Sequence, residues 1–69
     1  MKRKVYGKME LAQLYNPNVN PQSARKTLWR WMHHHPTLMT ALEQVGYNPA
    51  RKSFLPRELD IIVDCLGEP

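Results

Sequence analysis

Four residues of this chain carry hydrogen-bond donors at helical spacing: Gln22, Lys26, Arg30 and His33, separated by four, four and three positions. On a helix they form one stripe, because residues three and four apart are neighbours on its surface. Such donors are what phosphate oxygens and the major-groove edges of base pairs accept. Gln22 and Arg30 can engage a base in two hydrogen bonds at once, whereas Lys26 is a weaker reader. Arg25 and Trp29 lie at one shoulder of the stripe, Ser23 and Thr27 at the other. No acid occurs between Pro21 and His35, where an ordinary solvated helix mixes signs, often as Glu–Lys pairs four apart. The stripe predicts contact with a polyanion, duplex DNA first. A merely solvated basic face, a protein partner and RNA are the alternatives.

Two further basic clusters, Lys2-Arg3-Lys4 and Arg51-Lys52, are suited to tracking a phosphate backbone beside an inserted helix. A solvated tail is the equal alternative for the first of them. His33-His34-His35 suggests a metal site, but adjacent helical positions point about 100° apart and cannot converge on one ion. Phosphate contact, or charge at a helix C-terminus, suits these imidazoles better. Tyr15, Trp29 and Trp31 can stack on bases. Packing is the commoner fate of aromatics in a small core; Trp31 is assigned to the core and Trp29 to neither role. Cys65 stands alone inside an apolar pattern, with no partner arrangement for a nucleophile. There is no paired-carboxylate set, no Ser/His/Asp set and no glycine-rich phosphate loop. No enzyme, cofactor, metal or small-molecule substrate is expected.

These side chains need a scaffold, and 69 residues make one domain at most. A chain this short buries only roughly 60% of its unfolded surface, so the fold is expected to be marginal without reinforcement. Hydrophobic residues at 42% against 23% charged argue against disorder. One cysteine excludes an internal disulfide and suits a reducing cytoplasm. The basic start leads into no apolar run of a signal peptide, and the longest apolar run, Ile61–Val63, cannot span a membrane. A cytoplasmic protein is expected. Charge is unevenly placed: residues 1–35 carry seven Lys/Arg against Glu10, whereas residues 36–69 carry three against five acids. Net charges of +6 and −2 account for the overall +4. A basic half joined to an acidic half points to one polyanion-facing surface.

Local signals mark four helices. Gly7 as N-cap with Glu10 at N3, and Tyr6 and Leu11 as a hydrophobic staple, start the first; Asn16-Pro17 stops it. Asn20 and Pro21 are N-cap and N1 of the second, whose buried stripe reads Ala24, Leu28, Trp31 and Met32. Pro36 opens the third, and Gly46 with Tyr47 closes it in a Schellman cap touching Leu42. Residues 48–54 read as a loop. Pro56 starts the fourth, with Phe54 and Leu59 as a staple, a core stripe of Leu59, Ile62, Val63 and Leu66, and Gly67 as the stop. The expected fold is all-α: a compact four-helix domain over 1–69 with helices near 8–15, 21–34, 36–45 and 56–66. Residues 1–6 are expected to form a flexible basic arm. The first two helices have the layout of a helix-turn-helix, with Ala12 allowing close approach. Any αα-hairpin can use alanine in that way.

Several groups of residues carry a resemblance. Glu10-Leu11-Ala12 with Tyr15, Ala24-Arg25 with Leu28 and Trp31, and Leu38 with Leu42 and Gly46-Tyr47 are three of them. Phe54, Pro56-Arg57, Ile62 and Leu66-Gly67-Glu68-Pro69 complete the pattern. Together they resemble domain-of-unknown-function family 4248, associated with Bacteroides-type bacteria, over nearly the whole chain. That resemblance implies no activity. The first half is more loosely similar to the helix-turn-helix of excisionase-like and MerR-like regulators, in which Glu-Leu-Ala opens the first helix and a Trp closes the second. It departs from them in the longer Asn16–Asn20 turn, the lack of an evident β-wing, and Leu55 where a Thr N-cap before Pro56 is expected. Wing contacts are therefore not carried over. The sequence thus predicts a small bacterial DNA-binding protein, a transcriptional or mobile-element regulator that reads duplex DNA through its second helix. A non-enzymatic protein-interaction module or homodimer using the basic and aromatic face is the alternative. Dimerisation or a partner is implied by either, since one recognition helix binds weakly.

Overall fold

The computed structural model describes residues 4–69. A two-residue strand, β1 (Tyr6–Gly7), runs directly into helix α1 (Lys8–Tyr15). Helices α2 (Pro21–His33) and α3 (Pro36–Gln44) follow, then strand β2 (Ser53–Phe54) and helix α4 (Pro56–Leu66). The four helices stand where the sequence predicts them, α2 and α3 each ending one residue early.

Their ends are made by the residues that local chemistry favours. The Glu10 carboxylate accepts from the Gly7 N–H at 3.2 Å, one half of a capping box; glycine has no side chain to return the other half. Asn20 Oδ1 accepts from the Ser23 N–H at 2.9 Å, ahead of Pro21 at the first helical position. At the end of α3, the N–H of Tyr47 donates to the Leu42 carbonyl and that of Gly46 to Glu43. Gly46 has φ +78°, which only glycine adopts without strain, so the Schellman cap forms as the spacing predicts. His35 supplies a cap of a different kind. Its Nδ1 accepts from the Leu38 N–H at 3.2 Å, which orders the sharp passage from α2 to α3.

The fold is mostly helical, and not purely so. β1 and β2 pair antiparallel, Tyr6 opposite Phe54 and Gly7 opposite Ser53. The N–H of Lys8 extends the contact to the Lys52 carbonyl at 2.9 Å. The loop expected over 48–54 therefore ends in a strand, and the arm expected over 1–6 loses Tyr6 to the sheet. Both corrections have one cause. Tyr6 and Phe54 each bury an aromatic ring in the core, and pairing satisfies the backbone groups that this burial takes out of water. Residues 1–3, including Lys2 and Arg3, lie outside the described residues.

The core gathers one face from each helix and both strand aromatics. Leu11, Ala12, Ala24, Leu38, Leu42, Leu59 and Ile62 are fully buried, with Leu28, Met32 and Phe54 nearly so. Each leucine or isoleucine so placed contributes about 1.5–3 kcal/mol by leaving water. α1 and α2 make the most extensive helix–helix contact, with fully buried alanines, Ala12 and Ala24, on both sides. Trp31 departs from expectation. It is 40% exposed, because Ala24, Leu28 and Met32 form the centre of the buried face and Trp31 falls at its edge. There its ring meets Tyr15 edge-on, with centroids 6.2 Å apart, a favourable arrangement of ring quadrupoles.

One acid is fully buried. Glu58, in the first turn of α4, accepts from Arg51 Nη2 at 2.5 Å on each oxygen. It also accepts from the Leu55 N–H at 2.8 Å. Arg51 Nε donates in addition to the Ser53 carbonyl at 3.1 Å. Glu58 thus caps α4 from inside, as Glu10 caps α1. That bond explains how Leu55, with no polar side chain, can serve as an N-cap.

Candidate nucleic-acid interface

Packing decides which face of α2 reaches solvent. Ala24, Leu28 and Met32 are committed to the core, so the opposite side carries Gln22, Lys26, Arg30 and His33, all exposed. Arg25 and Trp29 flank them, Trp29 at 60% exposure. Gln22, Arg25, Lys26, Trp29 and Arg30 together border a shallow depression of about 430 Å³. Arg25, Lys26 and Arg30 are all exposed, with no ion-pair partner among the described residues, unlike Arg51, which pairs with Glu58. Nothing on the helix neutralises this face.

The helix dipole favours a cation at one end of this face. Arg30 and His33 occupy the last turn of α2, where cations meet the negative end of the helix dipole. The His33 ring lies against Trp29, with centroids 3.9 Å apart and planes tilted by 37°. The two rings make a small aromatic wall beside the cations. The three consecutive histidines have three different places: His33 on this wall, His34 at the C-cap of α2, and His35 at the N-cap of α3. Among the described residues no three His, Cys, Asp or Glu are grouped to hold a metal ion.

The other predicted positions separate into different surroundings. Lys4 is exposed, its ammonium 4.8 Å from the centre of the Tyr6 ring. Lys52 is exposed on the segment before β2, and together with Arg25 and His33 it borders a second groove, between α2 and residues 47–54. Arg51 is held at the start of α4, its Nη2 donating to the Glu58 carboxylate and its Nε to the Ser53 carbonyl. Proximity explains this: a guanidinium next to a desolvated carboxylate is held there by charge-assisted hydrogen bonds. The structure therefore assembles Gln22, Arg25, Lys26, Arg30 and His33 on one helix and leaves Lys4 and Arg51 elsewhere.

Sequence reading passed over Glu58. Its signal was available: an acid three residues after Leu55, behind Pro56 at N1, repeats the Gly7–Glu10 pattern at the start of α1. Lys8 was also passed over. Its ammonium donates to the Pro49 carbonyl at 2.9 Å and lies 4.7 Å from the centre of the Tyr47 ring. Tyr47 in turn stacks on Phe54, centroids 6.1 Å apart. This stack fastens the 47–54 segment against the start of α1.

At the far end of α1, the Tyr15 hydroxyl donates to the Gly67 carbonyl. Burial, with the negative charge of Glu68 as a lesser cause, raises the Tyr15 phenol above its ordinary value of 10.0. The bond links α1 to the residue that ends α4. No helix of the described residues is long and apolar enough to cross a membrane.

The family model of the domain of unknown function DUF4248 matches residues 2–69, and the chain belongs to that family. Comparison with curated proteins and with solved structures returns no match.

Proposed function

We propose that this member of DUF4248 is a small bacterial DNA-binding protein that lays the outer face of α2 along duplex DNA, in the service of transcriptional or mobile-element regulation. Gln22 and Arg30 read base edges in the major groove, Lys26 reads more weakly, and Arg25 holds a flanking phosphate. His33, Lys52 and the amino-terminal Lys2, Arg3 and Lys4 supply further phosphate contacts. The observation that carries this reading is the acid-free face of α2, whose cations are unpaired. The buried alanines at the α1–α2 contact support it, since a recognition helix must be braced by a close neighbour.

The experiment is a binding titration with random-sequence duplex DNA. Affinity is expected to fall on the order of tenfold or more between about 50 and 200 mM salt. Changing Lys26 and Arg30 together to Ala is expected to abolish binding without loss of helicity. If that double variant binds as the parent does, α2 is not the contact.

A protein-interaction module or homodimer is the second reading, and one observation favours it. Trp29 is 60% exposed at the shoulder of the basic face, and tryptophan and arginine are the residues enriched at the energetic centres of protein interfaces. Absence of duplex binding at low salt, with a dimer mass that Trp29→Ala reduces to a monomer, is the outcome that selects it.

A further inference from the structure

Behind the basic face lies a second concavity, and its chemistry differs. A half-open groove of about 760 Å³ runs between α2 and the 47–54 segment. Its inner surface includes Leu28 and Met32, both nearly buried, and the half-buried Met39 of α3. Trp29 and Tyr47 add two aromatic rings to the lining. Methionine side chains adapt their shape and make favourable sulfur contacts with the edges of aromatic rings. A largely apolar concavity of roughly 300–1,000 Å³ with few polar groups is the usual form of a small-molecule site.

Most charged groups at this groove are cationic. Arg25 and Lys52 are both exposed at its border and neither has an ion-pair partner among the described residues. Lys8 and Arg51 also line it, but each is already engaged, Lys8 with the Pro49 carbonyl and Arg51 with Glu58. Glu10 is the one acid on the lining, and its carboxylate accepts from the Gly7 N–H. The groove therefore offers an apolar slot with two available cations and a single acid tied to a helix cap. A guanidinium presents paired donors that match a carboxylate.

We infer that this groove is a binding site for a small, flat, apolar anion of the aromatic carboxylate class, its ring system against the aromatic and methionine lining and its carboxylate on Arg25 and Lys52. The site differs from the duplex face in reaching beyond α2: its lining includes residues of α1, α3 and the 47–54 segment. Arg25, Trp29, His33 and Lys52 border this groove and also belong to the proposed duplex contact, so the test separates the two through Lys26 and Arg30, which do not line the groove.

The probes are 2-naphthoate and its neutral counterpart 2-naphthamide, titrated into the ¹⁵N-labelled full chain and followed by amide chemical shifts. Saturable naphthoate binding is expected, with shifts clustered over residues 28–33, 39 and 47–52. Naphthamide is expected to bind about tenfold more weakly, the worth of one charge-assisted contact. Arg25→Gln and, separately, Lys52→Gln are expected to weaken naphthoate without changing naphthamide. Both positions are exposed, so neither variant disturbs the core. Lys26→Ala with Arg30→Ala leaves naphthoate binding intact whether or not it abolishes duplex binding. The inference is overturned if neither probe saturates below about 1 mM, a free energy too small for a built site. Equal affinity for the two probes overturns it as well, as do shifts that cluster elsewhere.

Discussion

Arg51 and Glu58 form a closed pair at the start of α4: one guanidinium nitrogen of Arg51 lies 2.5 Å from both oxygens of a carboxylate that is wholly removed from solvent. Arg51 itself keeps 30% of its side chain exposed. The asymmetry sets what each truncation does. Arg51→Ala leaves Glu58 buried without its counter-charge and is expected to destabilise the fold by about 3–5 kcal/mol. Glu58→Gln keeps the volume and an acceptor for the Leu55 N–H, and leaves Arg51 free to reach water, so its cost is expected to be smaller. Arg51→Lys is expected to fall between the wild type and Arg51→Ala, because an ammonium cannot hold Glu58 and the Ser53 carbonyl in one planar fork. Urea unfolding of the three variants checks the order.

Tyr15 makes stability sensitive to alkali. Its folded-state phenol titrates above the ordinary 10.0 because burial, and then Glu68, disfavour the phenolate. An acid raised in the native state contributes stability that is present in full below 10.0 and is lost as pH rises through the native value. The hydrogen bond to Gly67 loses its proton in the same step. Tyr15→Phe is expected to cost about 1 kcal/mol at neutral pH and to remove this share of the alkaline decline. Denaturation midpoints of both proteins, at neutral pH and above 10.0, check it; parallel declines would contradict it.

The α2–α3 corner depends on a histidine acting as an acceptor. His35 Nδ1 takes the Leu38 N–H, the part that Asn, Ser or Asp usually plays at a helix start. His35→Ala is expected to cost about 1 kcal/mol, and His35→Asn to recover most of it. Thermal unfolding of the pair decides the matter, and equal midpoints for Ala and Asn would mean that the bond contributes nothing.

For the proposed duplex contact, single charge removals are expected to act as counterion probes. Lys26→Ala lowers the slope of log affinity against log salt by about 1 if Lys26 neutralises one phosphate. Arg51→Lys leaves that slope unchanged, since the Arg51 guanidinium is held by Glu58 and Ser53. Fluorescence anisotropy of a labelled duplex across salt concentrations reads both. A slope unaltered by Lys26→Ala removes that residue from the contact.

The helices were legible because their signals are local. Asn20-Pro21, Pro36, Pro56 and the Gly46-Tyr47 pair act within one turn of themselves, so nearest neighbours suffice to place them. The stripe Gln22, Lys26, Arg30 and His33 was legible for the same reason: one helix fixes it. The strands were not, since Tyr6-Gly7 and Ser53-Phe54 are too short to show a period of two, and their pairing is decided by distant rings entering one core. Trp31 misled because periodicity gives an angle but not the width of the neighbour that covers it. The Arg51–Glu58 pair was not legible because its members stand seven residues apart, across a strand and a helix start. Charge alone cannot distinguish a cation offered to solvent from one turned inward.

Tyr6 and Phe54 are 48 positions apart in the chain, which gives the short sheet a role in cooperativity. Helices α1 and α2 are sequence neighbours and can meet early in folding, whereas this pairing closes a long loop and raises the contact order. Once closed, it joins the first described helix to the last, so neither end opens while the other stays native. Amide hydrogens on both sides of the bridge, Lys8 among them, are therefore expected to exchange with solvent at one common rate, that of unfolding the whole domain.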